Sequence, residues 1–249
     1  QGAPFMAMEL LRGVDLSALV KASGPLEPAA ACLAFVQACE GLSAAHKLRI
    51  VHRDIKPANL FCHELPSGEV VIKVCDFGVA KETSVSGVDQ TTADLTRTGG
   101  LLGSPIYMSP EQARNAKQVD ARTDVWSLCM AFYEALSGRA PWAECTSIGE
   151  LILAICTTDI TPLQEVAPWV NGAIAVAIHK GLSREASARW ASVDELREAL
   201  LPLCANGPLT KAALTSLSAA QRQVAAPRVS VTALASTAGA ITSSSQTSS

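Results

Sequence analysis

Apolar positions along this 249-residue chain switch between helical and strand periods, and the switches mark out its elements. Pro28 to Leu48 is a long Ala-rich segment with Leu33, Val36, Leu42 and Ala45 at helical spacing, which predicts a buried helix. Leu60 to Cys62 and Val70 to Val74 are short apolar runs separated by Pro66-Ser67-Gly68, the pattern of a small hairpin. Asp120 to Leu136, Ser147 to Cys156, Pro168 to Leu182 and Ser192 to Leu203 predict four further helices, and Ser192 with Glu195 three positions on predicts a capping box. Between Lys81 and Gly103 the chain is rich in Thr, Ser and Gly with little apolar periodicity, which predicts a flexible loop. From Ala205 the composition shifts to Ala, Ser and Thr without aromatics. Such a segment buries too little apolar surface to offset its ordering entropy, so it is expected to be disordered, with at most a weak helix over Leu209 to Val224.

A hydrophobic content of 49% is enough to fill one sizeable core. The formal net charge of −3 gives no electrostatic case for nucleic acid or an anionic membrane as partner. Lys211, Arg222 and Arg228 make the segment from Ala205 basic, so the remainder is acidic. The eight cysteines contain no Cys-x-x-Cys pair, and several sit inside apolar patterns, as free thiols do in a reducing cytosol. Cys62-His63 near Cys75 offers too few soft ligands for a metal site. Unbroken apolar runs such as Leu151 to Cys156 are too short to span a bilayer, and no signal peptide is visible, so no membrane segment is expected.

The chemistry concentrates in His52-Arg53-Asp54-Ile55-Lys56-Pro57-Ala58-Asn59 and, 22 positions after Asp54, Asp76-Phe77-Gly78. Asn59 and Asp76 supply two hard oxygen ligands of the kind that suit Mg²⁺, and Asp54 is left to orient a hydroxyl. Residues of these types in this order point to phosphoryl transfer, where catalysis is mostly positioning and charge neutralisation.

These runs resemble the catalytic and metal-binding loops of protein kinases. Gly103-Ser104-Pro105-Ile106-Tyr107-Met108-Ser109-Pro110-Glu111-Gln112 resembles the end of a kinase activation segment, with Ser109-Pro110-Glu111 in place of Ala-Pro-Glu. Asp124-Val125-Trp126-Ser127-Leu128 resembles the start of the large lobe's central helix, and Gly138-Arg139-Ala140-Pro141-Trp142 and Arg189-Trp190 follow in the family's order. The wording, Met-Ser-Pro-Glu-Gln above all, is similar to eukaryotic-like bacterial serine/threonine protein kinases. The resemblance implies an α+β, protein-kinase-like fold. Residues 1–204 would hold the hinge and a mainly helical large lobe with a short β-hairpin, and 205–249 a disordered tail.

It also implies roles. Asp54 would orient the substrate hydroxyl and take its proton late, Lys56 would neutralise charge on the transferring phosphoryl, and Asn59 and Asp76 would hold Mg²⁺. His52 and Phe77 would pack so as to align the two loops, and Gly78 would be the structural glycine on which the second turn hinges. Met8 would back the adenine pocket, Glu9 and Leu11 would offer hinge backbone groups to ATP, Asp15 would reach the ribose, and Phe61 would lie under the adenine. Asp15 also reads as a helix N-cap before Leu16, a role compatible with the first. Arg53 would clamp a phosphorylated activation loop, with Thr96 and Thr98 as the candidate sites and Thr91 and Thr92 behind them. Glu111 and Arg189 would pair, Asp124 would accept backbone hydrogen bonds from the catalytic loop, and Ser104 keeps the hydroxyl of the usual threonine. Cys129 departs from the family's common glycine.

The Gly-rich loop, strand lysine and helix glutamate of a kinase small lobe have no counterpart in this sequence. Val71-Ile72-Lys73 imitates the lysine strand but leads directly into Asp76-Phe77-Gly78, and Phe5-Met6-Ala7-Met8-Glu9-Leu10-Leu11 resembles the last small-lobe strand and the hinge. The expectation is therefore a large lobe cut at the hinge, weak or inactive as a catalyst by itself. Its gene product would transfer the ATP γ-phosphoryl to Ser/Thr hydroxyls of protein substrates, itself included, in cytoplasmic signalling. Two alternatives compete: a non-catalytic scaffold or pseudokinase fragment, and a small-molecule phosphotransferase of related fold. Ser109-Pro110-Glu111 and Arg189 argue against the second.

Overall fold

A twenty-residue helix forms the axis of the molecule because its sequence is small and apolar on nearly every side. A computed structural model describes residues 8–77, 105–114, 119–215 and 217–228. In it β1 (Gly13–Asp15) leads to α1 (Leu16–Ser23) and then to that helix, α2 (Pro28–Lys47). Pro28 occupies its first turn, and the Glu27 carboxylate accepts from the N–H groups of Ala29 and Ala30. Ala30, Ala31, Ala34 and Ala38 let neighbouring elements approach closely, while Phe35 stacks on Phe132 at 4.2 Å. By length and composition α2 would suffice to cross a membrane, yet 61% of its most apolar window is buried inside this lobe.

The hairpin β2 (Leu60–Glu64) and β3 (Val70–Val74) packs on α2, with Gly41 facing Val74. β1 adds a third antiparallel strand at the β2 edge, in register Gly13↔His63 and Asp15↔Phe61. Gly13 has φ +131°, and a Cβ there would lie 2.0 Å from the Cys62 carbonyl oxygen, so only glycine fits. A short α3 (Pro110–Ala113) precedes the central α4 (Arg122–Ser137), which is buried along nearly its whole length. Gly138 ends α4 in the left-handed conformation. Opposite Cys129 on α4 stands Gly181, where a Cβ would meet the thiol sulfur at 2.3 Å, so the thiol occupies space that a bare glycine leaves open.

Three helices complete the lobe: α5 (Ile148–Thr157), α7 (Gly172–Gly181) and α8 (Val193–Leu200), with the short α6 (Leu163–Val166) before α7. The helix expected over Pro168 to Leu182 starts instead at Gly172, because Asn171 takes the cap position and accepts from the Ala173 N–H. α8 ends at Leu200, and Leu201–Leu203 tightens into a 3₁₀ turn around Pro202, which has no N–H to continue the helix. The expected capping box is half formed. Ser192 Oγ accepts from the Glu195 N–H, but the Glu195 carboxylate turns to the Ala191 N–H.

The segment from Ala205 departs most from expectation. As far as Arg228, with position 216 outside the described residues, it runs over the lobe as a strap. Leu209, Leu214 and Leu217 are buried. Backbone bonds tie the strap to Ala29, Pro25, Val70 and Pro168, and α9 (Ala219–Arg222) carries a full capping box from Ser218 and Gln221. Three well-placed leucines and borrowed backbone partners thus order a composition that reads as disordered. Residues 229–249 lie outside the described residues.

His179 on α7 is largely shielded, and its Nε2 accepts the Leu163 N–H at 2.9 Å, which requires the neutral ring. Burial pushes its pKa down to about 4. The unfolded chain, with a histidine near its ordinary value, therefore binds more protons between about pH 6.5 and 4, and stability is lost as pH falls through that window. Denaturant titrations should show the wild type losing up to about 3 kcal/mol more than His179→Gln between pH 7 and pH 4. Gln keeps an acceptor but cannot titrate, and equal losses in both proteins would refute the assignment.

Candidate active site

The loop that follows α2 is held from below by one carboxylate. Asp124, in the first turn of α4, is fully buried and accepts the N–H groups of His52 and Arg53, each at 2.8 Å. His46 Nε2 lies 2.8 Å from the same carboxylate as a third donor. Its place at a helix N-terminus favours negative charge. Arg53 sits at φ +63°, a left-handed conformation that costs a residue with a side chain about 1–2 kcal/mol. Its N–H is fixed by Asp124 and its carbonyl accepts from Gln112 Nε2 at 2.9 Å. Asp54 follows directly on this turn, with about a quarter of its side chain exposed.

Asp54, Lys56 and Asn59 come together within this turn. Lys56 Nζ donates to the Asp54 carboxylate at 2.9 Å, and Asn59 Nδ2 donates to the Asp54 carbonyl at 2.8 Å. The Asp54 and Lys56 side chains are about three-quarters shielded, so their charges interact more strongly than on an open surface. A 3₁₀ turn over Pro57–Asn59 sets these spacings, and Pro57 supplies its fixed φ. With its amide nitrogen spent on Asp54, Asn59 presents its oxygen.

The second loop is joined to the first by backbone and ring contacts. Cys75 N–H donates to the Asn59 carbonyl at 2.9 Å, and His52 Nε2 donates to the Cys75 carbonyl at 2.9 Å. His52 Nδ1 accepts from the Asp54 N–H at 3.3 Å, which fixes the tautomer, and the imidazole packs on Phe77 at 4.6 Å. Asp76 takes φ +57° and is exposed, with no hydrogen bond or ion pair to the described residues. Burial pushes the Cys75 thiol up, and the neighbouring Asp76 charge adds to this. An exposed carboxylate on a strained turn and an amide oxygen that accepts no hydrogen bond among the described residues are the donor set a hard divalent cation takes. The chemistry of the two residues fits such an ion.

Around the expected nucleotide edge, Met8 and Leu10 are exposed and Leu11 is half-buried. Glu9 lies over the hairpin, 3.1 Å from Lys73 Nζ. Asp15 accepts the Ala18 N–H at 2.9 Å as the cap of α1, and Phe61 sits between Asp15 and Lys73 in the sheet register. Gly78, Thr91, Thr92, Thr96, Thr98 and Ser104 lie outside the described residues.

Past that segment the chain is fastened to α4. Tyr107 Oη donates to the Glu134 carboxylate and Ser127 Oγ to the Tyr107 carbonyl. Burial pushes both Tyr107 and Glu134 up. Ser109 forms a capping box with Gln112 and meets Thr123 at 2.6 Å. Glu111 and Arg189 form a two-pronged pair at 2.7 and 2.8 Å. The Arg189 side chain is fully buried, satisfied also by the carbonyls of Ser183, Arg122 and Arg184, and lies over Trp126. Burial alone would raise the Glu111 carboxyl, but the hydrogen bonds and charge of Arg189 outweigh it and hold the group below its ordinary value. Gln112, His46 and Gly13 escaped the sequence reading. Gln112 had a detectable signal, standing three residues after Ser109 at the first turn of a helix.

Residues 2–198 match the model of the protein kinase domain. Serine/threonine-protein kinase PknB of Mycobacterium tuberculosis is 32% identical over 232 residues, covering 90% of this chain and 35% of that protein. Serine/threonine-protein kinase Pkn1 of Myxococcus xanthus is 34% identical over 197 residues, covering 79% and 27%. A probable serine/threonine-protein kinase of Corynebacterium efficiens is 37% identical over 139 residues, covering 56% and 20%. The chain spans about a third or less of the length of these curated relatives.

Replacing Glu111 with Gln strands the fully buried Arg189 guanidinium without a counter-charge. Denaturant unfolding should show a loss of about 3–5 kcal/mol. Arg197→Gln, at an exposed pair with Glu40, should cost no more than about 1 kcal/mol. Equal costs would remove the distinction.

Proposed function

This chain belongs to the protein kinase family, and we propose that it carries the large-lobe catalytic centre of a serine/threonine protein kinase. The observation that carries the reading is the junction of Asp54, Lys56 and Asn59 within 2.9 Å contacts, joined through the Cys75 backbone to the Asp76 turn. Positioning of this kind is what phosphoryl transfer requires of a protein.

In this reading Asp54 accepts a hydrogen bond from the Ser or Thr hydroxyl of a protein substrate. As the oxygen bonds to the γ-phosphorus and the bond to the ADP oxygen breaks, the hydroxyl proton passes to Asp54. Catalysis of phosphoryl transfer is mostly positioning, so orientation of the hydroxyl is the larger contribution of Asp54. Lys56, 2.9 Å from Asp54, neutralises charge on the transferring group. Protein kinases use ATP with a divalent cation; Asn59 and Asp76 would hold Mg²⁺ here, which supplies charge neutralisation at the phosphates. Glu9, Leu11, Asp15 and Phe61 would line the nucleotide edge. Protein substrates, with the chain itself among them, follow from the same reading. All eight cysteines are free, which supports a reducing, cytoplasmic setting.

In the full gene product, Asp54→Asn should lower kcat by about 10²–10⁴-fold with little change in the KM for ATP. Phosphate transfer to a Ser/Thr protein substrate reads this directly, and undiminished turnover would overturn the reading. Converting both Thr96 and Thr98 to Ala should lower activity by removing the anion that Arg53 is proposed to clamp. Unchanged turnover of that double variant would dispose of loop phosphorylation at these positions.

A further inference from the structure

His63 on β2 has no part in the phosphoryl-transfer centre, yet it is 9% exposed and makes its contacts with the hinge rather than with its own hairpin. Its Nδ1 lies 3.0 Å from the Arg12 N–H and 3.2 Å from the Arg12 carbonyl. A backbone N–H can only donate, so Nδ1 accepts from Arg12 and Nε2 carries the proton, while the Arg12 carbonyl accepts the Glu64 N–H at 2.7 Å. Nε2 in turn faces the Glu9 carboxylate at 3.8 Å, whose other oxygen lies 3.1 Å from Lys73 Nζ. One imidazole therefore touches both ends of the four-residue stretch Glu9 to Arg12. Gly13, paired with His63 across the sheet at φ +131°, brings the hinge into this register.

We infer that His63 is a positioning residue for the nucleotide base: it fixes the hinge so that the backbone groups of Glu9 and Leu11 stand at one spacing and direction. The inference rests on the proposed role of those groups in binding ATP. Nδ1 is the operative atom. The Glu9–Lys73 pair is well exposed on both sides and contributes little by itself, whereas the bond to Arg12 is shielded and directed at backbone. A hinge held at fixed spacing distinguishes the 6-amino group of adenine, a donor, from the 6-oxo group of guanine, an acceptor. A loosened hinge adapts to both and favours neither.

Three variants of the full gene product test this. His63→Asn places an amide oxygen near the Nδ1 position, while His63→Gln places its amide near Nε2 and His63→Leu removes both. Steady-state kinetics with ATP and GTP should show the KM for ATP rising about fivefold in the Leu and Gln variants, the scale of one hydrogen bond, with kcat at saturation unchanged. The preference for ATP over GTP should narrow by a similar factor, and His63→Asn should restore both. Amide hydrogen exchange at Arg12 should quicken in the Leu and Gln variants and stay slow in Asn. A merely structural role would lower thermal stability without narrowing the preference, and a preference retained in both Leu and Gln variants would overturn the inference alone. A wild-type protein without preference between ATP and GTP would bring down the proposed hinge contacts, and this inference with them.

Discussion

The candidate active site depends on one buried carboxylate. Asp124 lies at the start of the central helix, out of contact with water, and a group so placed is costly unless every lone pair finds a donor. Here the donors are the backbone N–H groups of His52 and Arg53 and the ring of His46. The requirement works in both directions. Asp124 is tolerated in the core because the loop satisfies it, and the loop is held because two of its amides donate to that one carboxylate.

From that anchor the site is built outward through strained backbone. Arg53 and Asp76 both take left-handed conformations without being glycine, one in each loop. Such positions persist only where surroundings over-determine them. For Arg53 the surroundings are Asp124 on one side and Gln112 on the other. Asp76 is steadied through its neighbours, since Cys75 is bonded to Asn59 and His52 while Phe77 packs on the His52 ring. His52 is thus the joint between the loops, and its tautomer is set by bonds to both. The Glu111–Arg189 pair fixes the other wall by binding the short helix after Ser109 to the end of the lobe.

Much of this was readable from the chain, and the reason differs by element. Asp54, Lys56 and Asn59 act within six residues of one another, and Pro57 fixes the turn between them, so a local motif contains their geometry. α2 was legible because its apolar positions recur at a steady helical period over twenty residues. Glu111 and Arg189 stand 78 residues apart, and family order rather than any local signal paired them. What remained hidden depends on contacts that no periodicity encodes. The strap beyond Ala205 reads as disordered by composition, but Leu209, Leu214 and Leu217 are buried, and Leu209 and Leu217 share backbone bonds with the distant Val70 and Pro25. His63 looks like a poor metal ligand until the hinge is placed beside it. Gly13 is one glycine among sixteen until the Cys62 carbonyl is seen in the way of a side chain.

Hydrogen exchange at the backbone amides of His52 and Arg53, resolved by NMR, tests most directly whether Asp124 holds the loop from His52 to Asn59. Both amides should exchange as slowly as the core amides of α2, and Asp124→Ala should release them while Phe35 stays protected. Exchange at unprotected rates in the wild type would contradict the account, because the loop would then be positioned by something other than that carboxylate.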